Sequence, residues 1–223
     1  MPKFLVERER LPSLDDFLAR IARLTSKRKV RPVVTPSGKR ARGNFPSNKA
    51  PNRARFESLL EQDVLRPLEV STRVRVLRTH PVVLALPGDP IVHYTPDVQV
   101  EGDEEGFLVE TKATFFLTKT ASRERLQECV RRLRLHGITL VVIVESDVRG
   151  HGFQEELKDL LRRRPLVGRY RPNIDTNLWN PLKPAIGDFE LERRWRAAQR
   201  ECDALLDRVM RRDPDDLIAA VCR

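Results

Sequence analysis

The order of elements that the sequence predicts indicates an α/β protein with a mixed sheet flanked by helices. Runs typical of antiparallel strands are followed by a basic amphipathic helix at Ser122 to Leu135, capped by Ser122 and stopped at Gly137. The next run, Ile138 to Glu145, is nearly all apolar, as expected of a central strand covered on both faces. A helix that crosses between strands favours one sheet with helices packed against it.

Two further helices are predicted ahead of the sheet. The first spans Ser13 to Leu24, with Ser13 as its cap and an apolar stripe of Leu14, Phe17, Leu18, Ile21 and Leu24. The second spans Arg53 to Leu65, with a buried side of Phe56, Leu59, Leu60 and Val64. Glu57 and Glu61 are four residues apart and therefore share one face of the second helix.

Short apolar runs predict the antiparallel strands. They are Thr72 to Leu77 and Val82 to Leu86, which form either one bent strand or a strand and its return, then Ile91 to Val100 and Phe107 to Ala113. Pro96 lies inside the third run and removes a donor from the strand ladder. The chain is therefore expected to bend at Asp97.

The chain of 223 residues is predicted to consist of three parts. Residues 1–52 form a basic N-terminal helix and arm, residues 53–147 the α/β core, and residues 148–223 a C-terminal extension with helices. The extension contains a helix that ends in RRRP and a long charged helix from Asp188 to about Arg212.

Positive charge is concentrated at the N-terminal end. The formal net charge is +10, and residues 1–55 contain 15 Lys or Arg against 4 Asp or Glu, so the rest of the chain is close to neutral. The stretch Thr25 to Asn52 is interpreted as an extended basic arm that is ordered mainly by its partner. A positive arm beside a neutral body is typical of binding to the phosphate backbone of DNA; a solubilising tail is the alternative. The candidate DNA-binding residues are Lys39, Arg40, Arg42, Lys49, Arg53 and Arg55.

Composition argues against several other classes of protein. No stretch approaches the roughly 20 apolar residues that span a bilayer, and the first ten residues lack the pattern of a secretory signal, so no membrane association is expected. Three cysteines lie far apart, which supports neither a disulfide framework nor a zinc site. The four histidines are also scattered, although His93 precedes the expected bend.

Two acidic residues and one lysine are expected to converge on the sheet. Glu110 and Lys112 are two apart in one strand and project from the same side. If the preceding strand pairs with this one, Asp97 lies within a few ångströms of Glu110. Two carboxylates can hold a divalent cation, Mg²⁺ or Mn²⁺, against a phosphodiester, while the lysine orients water or stabilises the developing anion. The alternative is a solvated hairpin with charged outward positions.

The order of elements is that of the PD-(D/E)xK nuclease core, and the residues resemble the N-terminal nuclease domain of TnsA, the endonuclease subunit of heteromeric bacterial transposases. The resemblance covers about Gly43 to Asp147 and is carried by GNFPSNKAPNRARFESLLEQDVLRPLEV, YTPDVQV, VETKA and the helix and apolar strand that follow. No winged-helix domain of the TnsA type is recognisable after Asp147.

The resemblance implies that Asp97 and Glu110 are metal ligands and that Lys112 is the catalytic lysine. It also implies a third acid on the helix before the sheet. In the family, the acid precedes a Leu-Glu pair at a characteristic spacing, which is reproduced here by Leu60-Glu61 ahead of Leu68-Glu69. Glu61 is therefore preferred for this third ligand and catalytic position, with Glu57 as the substitute.

The family would imply DNA cleavage at the ends of a mobile element, beside a recombinase subunit and an AAA+ regulator, in the bacterial cytoplasm and associated with the nucleoid. Two alternatives share the fold. One is a phage head-completion nuclease or structural DNA-handling component that works with phage head proteins in the virion, and the other is a restriction or repair nuclease. The fold alone does not choose among these functions.

Overall fold

The structure is a computed structural model that describes residues 12–30, 41–163 and 189–221. Its first half contains α1 (Leu14–Leu24), β1 (Gly43–Phe45), β2 (Ala54–Phe56), α2 (Leu59–Val70), β3 (Val76–Thr79), β4 (Leu84–Leu86), β5 (Val92–Tyr94) and β6 (Val98–Glu101). Its second half contains β7 (Gly106–Thr111), α3 (Thr114–Leu117), α4 (Thr120–Leu135), β8 (Leu140–Ile143), α5 (Glu145–Val148), α6 (Phe153–Arg163), α7 (Phe189–Arg211) and α8 (Pro214–Val221).

The main sheet is mixed, as predicted. Its four strands lie in the order β3-β6-β7-β8, with β3, β6 and β7 antiparallel and β8 parallel to β7 after the crossover through α4. Two small hairpins, β1-β2 and β4-β5, lie beside it. The prediction that β8 is a central strand is wrong, since it ends the described sheet. All four of its residues are nevertheless buried, because helices cover both faces.

Apolar side chains pack on both faces of this sheet. One face packs against α2 and α7, and its core includes Val64, Leu68, Val100, Val109, Ile143 and Leu206. The other face packs against α1, α4 and α8, and its core includes Phe17, Leu108, Val142, Leu133 and Ile218. Residues of α7 therefore share a core with the sheet. Within the described ranges, no helix has the length and apolar character needed to cross a membrane.

The predicted strand Ile91 to Val100 is two strands. Its first half, β5, pairs with β4 in a separate hairpin, while its second half, β6, belongs to the main sheet. The break falls at residues 95–97, around Pro96. The bend expected at Asp97 is thus confirmed, because a residue without a backbone donor interrupts the ladder there.

The segment before α2 differs from both predictions made for it. Over Gly43 to Asn52 the chain is not an arm ordered by a partner, since β1 pairs with β2 and Phe45 is 5% exposed in the core. The helix predicted to start at Arg53 starts at Leu59, where Ser58 accepts a hydrogen bond from the Glu61 backbone. Residues 53–56 alternate between exposed arginines and buried apolar residues, which is the period of a strand.

Helix α2 also continues past its predicted end at Leu65, through Pro67, to Val70. A proline inside a helix leaves the carbonyl four residues earlier without its usual donor. Here that carbonyl belongs to Asp63, and the side-chain amide of Gln154 donates to it at 3.0 Å. Leu59, predicted to be buried, is 56% exposed, whereas Leu60 beside it is buried.

The other predicted helices need smaller corrections. Helix α1 begins after Ser13, whose side chain accepts from the Asp16 backbone as predicted, but Leu18 of the expected stripe is 36% exposed. Helix α4 begins at Thr120 and not at Ser122; its N-terminal cap position is Lys119, which makes no side-chain cap. The predicted stop is confirmed, since Gly137 follows the helix with a φ of +64°.

Candidate active site

Three polar residues lie in one row across the main sheet, where β7 ends. The register between β6 and β7 pairs Val98 with Val109, which places Asp97 opposite Glu110. The register between β3 and β6 continues in the same way, because the His80 backbone donates to the Asp97 carbonyl at 2.9 Å. Three neighbouring positions are therefore occupied by His80, directly after β3, by Asp97, directly before β6, and by Glu110 in β7.

The imidazole of His80 lies between two carboxylates. Its Nε2 is 3.7 Å from Glu61 Oε2 and 4.0 Å from Asp97 Oδ1. The backbone of His80 has a φ of +47°, in the left-handed region that residues other than glycine seldom adopt. This conformation ends β3 at the point where its side chain meets the two acids.

Glu61 reaches the site from the first turn of α2. Its Oε2 accepts from the Glu57 backbone at 2.7 Å and its Oε1 accepts from the Ser58 hydroxyl at 3.1 Å, a reciprocal cap with Ser58. Burial, and then the charges of Glu57 and Glu110, raise the pKa of Glu61 despite these hydrogen bonds. Of the two acids proposed for this helix, the structure brings Glu61 to the site, whereas Glu57 contributes its backbone N–H.

Asp97 is held by the end of the neighbouring strand. Its Oδ2 accepts from the Thr111 backbone at 2.7 Å, and Oδ1 faces His80. Burial raises its pKa well above the usual range, and the charges of Glu110 and Glu61 raise it further. Three carboxyl groups that share one enclosed space disfavour one another's ionisation.

Glu110 and Lys112 form an ion pair inside the site. Lys112 Nζ is 2.6 Å from Glu110 Oε1, and the Tyr94 hydroxyl donates to Glu110 Oε2 at 2.6 Å. Burial, followed by the Glu110 charge, raises the pKa of Tyr94 well above its usual value, so the phenol keeps its proton. Burial alone would lower the pKa of Lys112, but Glu110, Asp97 and Glu61 together raise it. The lysine is thus an ammonium at neutral pH.

The donor atoms of Glu61, His80 and Asp97 all lie within 4.8 Å of one another, so these residues could hold one metal ion. Two carboxylate oxygens and one imidazole nitrogen are suitable ligands for a divalent cation. Glu110 lies outside this group, and both its oxygens are engaged by Tyr94 and Lys112. Its sequence-predicted role as a metal ligand stays a prediction.

The candidate DNA-binding residues have different environments. Lys39 and Arg40 lie outside the described residues, and Arg42 is partly buried. The Lys49 ammonium donates to the carbonyls of Leu68 and Ser71 at the end of α2, so the structure engages it within the fold.

Arg53 and Arg55 are exposed on the outer face of the β1-β2 hairpin. The Arg55 backbone donates to the Thr79 hydroxyl at 2.9 Å, one residue before His80. Strand β2 therefore runs beside the end of β3, with Arg55 on it and Arg53 directly before it.

His80 and Tyr94 belong to the site and were missed in the sequence. His93 precedes the bend in the sequence, but it lies on β5 in the separate hairpin and pairs with Ala85. The signal for His80 is its position: it follows a strand of the main sheet directly, at the same level as Asp97 in the next strand. Identifying it requires the pairing of β3 with β6.

Comparison with protein-family models finds no match for this sequence, and comparison with curated proteins finds none either. The residues of the site and their geometry are therefore the basis for inferring the function of this protein.

Proposed function

We propose that this protein is a metal-dependent DNA endonuclease that hydrolyses phosphodiester bonds, with a TnsA-like core of the PD-(D/E)xK type. The observation that supports this function best is the meeting of Glu61, His80, Asp97, Glu110 and Lys112 where β7 ends. Carboxylates on adjacent strands, with a lysine two residues after one of them, are the groups that the reaction needs.

The balance of charge at this site favours a cation-binding role. Three carboxyl groups are enclosed together with one ammonium, and the pKa values of Glu61 and Asp97 are raised because burial and like charges oppose their ionisation. Such an arrangement is costly in the isolated protein. A bound divalent cation would offset that cost, and perturbed acids of this kind are typical of functional sites.

Glu61, His80 and Asp97 are the residues that would hold the ion, Mg²⁺ or Mn²⁺. When bound, a divalent cation polarises a phosphoryl oxygen and lowers the pKa of a coordinated water. The imidazole nitrogen is a poorer ligand for Mg²⁺, a hard cation that prefers oxygen, than for a transition-metal ion such as Mn²⁺.

Lys112 supplies a fixed positive charge beside these residues. Its raised pKa keeps it protonated, so it acts as a hydrogen-bond donor to a phosphate oxygen and not as a base. Glu110 orients the ammonium and Tyr94 orients Glu110, through contacts of 2.6 Å each. Binding of the substrate then replaces part of the Glu110 contact with a contact to the phosphate.

Arg53 and Arg55, together with the basic N-terminal region, would bind the DNA backbone near the site. By its resemblance to TnsA, the nuclease would work in a transposition complex with a recombinase subunit and an AAA+ regulator.

The test is nicking of a supercoiled plasmid with Mg²⁺ or Mn²⁺. Wild-type protein should convert the plasmid to open-circular or linear DNA, and Lys112→Ala should slow this about 10²- to 10³-fold, the usual cost of losing one charged donor to the transition state. Glu57→Gln is the matched control for Glu61→Gln: the first should leave most of the activity and the second should remove it. Equal activity of wild type, Asp97→Ala and Lys112→Ala would sink the assignment.

A further inference from the structure

An aromatic pair lies directly after the lysine of the site. Phe115 in α3 is 64% exposed, which is high for a phenylalanine. Phe116 meets it edge to face, with 5.8 Å between the ring centroids. Single exposed apolar residues are ordinary on protein surfaces, so the meaning of this ring depends on its neighbours and on its position next to the candidate site.

The chain itself fixes how far Phe115 lies from the site. It is three residues after Lys112, so their Cα atoms are at most about 11 Å apart. The two ends of this segment are tied to the sheet, since the Lys112 backbone donates to the Ile143 carbonyl and the Thr114 backbone donates to Glu145. Phe115 is therefore held within reach of a strand that enters the candidate site.

One ammonium lies against both rings. The Lys119 ammonium lies 4.5 Å from the centroid of Phe115 and 5.2 Å from that of Phe116. Lys119 is also the N-terminal cap position of α4, where no side chain caps the first turn. The electropositive end of this 16-residue helix therefore opens beside the rings. An exposed aromatic ring with an ammonium and a helix N-terminus beside it matches a nucleobase and its phosphate.

We propose that Phe115 stacks against an unpaired base next to the scissile phosphate, while Lys119 and the start of α4 bind the neighbouring phosphate. This subsite rests on the proposed nuclease function and specifies its substrate class: DNA that is single-stranded, or locally opened, beside the cut. In a closed duplex the bases are stacked on one another, and the face of Phe115 has no base to receive.

The test measures binding and not cleavage. The affinity of the protein for a fluorescein-labelled 16-nucleotide single strand and for the matching duplex is determined by anisotropy in EDTA. Phe115→Ala and Phe115→Leu should both weaken single-strand binding about 5- to 100-fold, the usual effect of losing one stacking ring. Both should change duplex binding less than about 2-fold, and Phe115→Trp should retain the wild-type preference. Leu135→Ala removes an even more exposed apolar side chain, 72% exposed, at the far end of α4 and should change neither affinity.

Unchanged single-strand affinity in Phe115→Ala would overturn the subsite, as would equal losses for single strand and duplex. The first result would leave the ring as a contact for another protein. Because the assay needs neither metal nor cleavage, it separates the two proposals. Ring-dependent binding without nicking would count against the nuclease alone, and nicking without ring-dependent binding would count against the subsite alone.

Discussion

Helix α2 carries two acids, Glu61 and Asp63, whose surroundings are opposite. The Asp63 carboxylate is paired with Arg66 and, at 2.6 Å, with Arg149. The Glu61 carboxylate faces a histidine and two further acids, and among the described residues no arginine pairs with Glu61, Asp97 or Glu110. Both acids are largely enclosed, so their partners and not their burial distinguish them.

The Asp63 cluster connects three helices. Arg149 follows α5, and Gln154 of α6 accepts from Arg66 at 2.7 Å and donates to the carbonyls of Asp63 and Val148. Each charge in this cluster meets an opposite charge or a hydrogen-bond partner, as buried ions must for the fold to be stable. The carboxylates of the Glu61 cluster also accept hydrogen bonds, but among the described residues their only lysine or arginine ion-pair partner is Lys112, which pairs with Glu110. The difference indicates that the Asp63 cluster stabilises the fold, whereas Glu61, His80 and Asp97 lie close enough together to hold a cation.

The largest expected effect is a loss of stability on neutralising Asp63. Asp63→Asn leaves the guanidinium of Arg66, whose side chain is 8% exposed, without its counter-charge. Breaking a buried pair from one side costs roughly 3 kcal/mol or more. Urea unfolding followed by circular dichroism should show a lower midpoint with an unchanged slope.

The matched control is Asp103→Asn, the same chemical change on an acid that pairs with Arg75. Both side chains of this pair are exposed, so the change should cost much less. If Asp63→Asn costs no more than this control, the contrast between the two clusters fails.

The next effect concerns the metal. His80→Asn removes the one nitrogen donor from the Glu61, His80 and Asp97 group. We expect the concentration of Mn²⁺ needed for half-maximal thermal stabilisation to rise about 10- to 100-fold, the order found when metal sites lose a supporting group. The concentration of Mg²⁺ needed for half-maximal stabilisation should rise less, since Mg²⁺ prefers oxygen ligands.

His93→Asn is the control, because that histidine lies on the separate hairpin and should leave both titrations unchanged. An equal loss of affinity for Mn²⁺ and Mg²⁺ in His80→Asn would mean that His80 shapes the site without binding metal.

Counting along strands was enough to predict part of the site. Glu110 and Lys112 on one side, and Asp97 opposite Glu110, follow from the two-residue period and one turn. His80 could not be placed in this way, because its position depends on where β3 ends and on the pairing of β3 with β6, whose paired residues are 19 to 25 positions apart in the sequence.

The segment before α2 shows the same limit. A window as short as Arg53 to Phe56 fits either a helix or a strand. The pairing with β1 is what makes this segment a strand. The continuation of α2 through Pro67 depends on Gln154, which lies 91 residues from the carbonyl that it satisfies. Interactions of this kind are absent from local sequence patterns.

The smallest and most discriminating effect is a gain of stability on neutralising Asp97. The pKa of Asp97 is raised in the folded protein, so the native state keeps a proton that the unfolded chain loses near pH 4. Ionisation of Asp97 therefore costs stability as the pH rises above about 4. Asp97→Asn avoids this cost and can still accept from the Thr111 backbone. In EDTA at pH 7 the variant should be about 1 kcal/mol more stable, a rise of roughly 2 to 4 °C in Tm.

One condition should remove the extra stability of Asp97→Asn, and another should reverse it. Near pH 3.5 the carboxyl group is protonated in both states, so wild type and Asp97→Asn should unfold at nearly the same temperature. With saturating Mn²⁺ at pH 7 the wild type should gain stability that the variant cannot, since Asp97 is part of the group that would hold the ion. Asp63→Asn, the same chemical change on a compensated acid, should lose stability in EDTA at pH 7. A loss for Asp97→Asn under those conditions would mean that its charge stabilises the fold, as that of Asp63 does, and that the two clusters do not differ in kind.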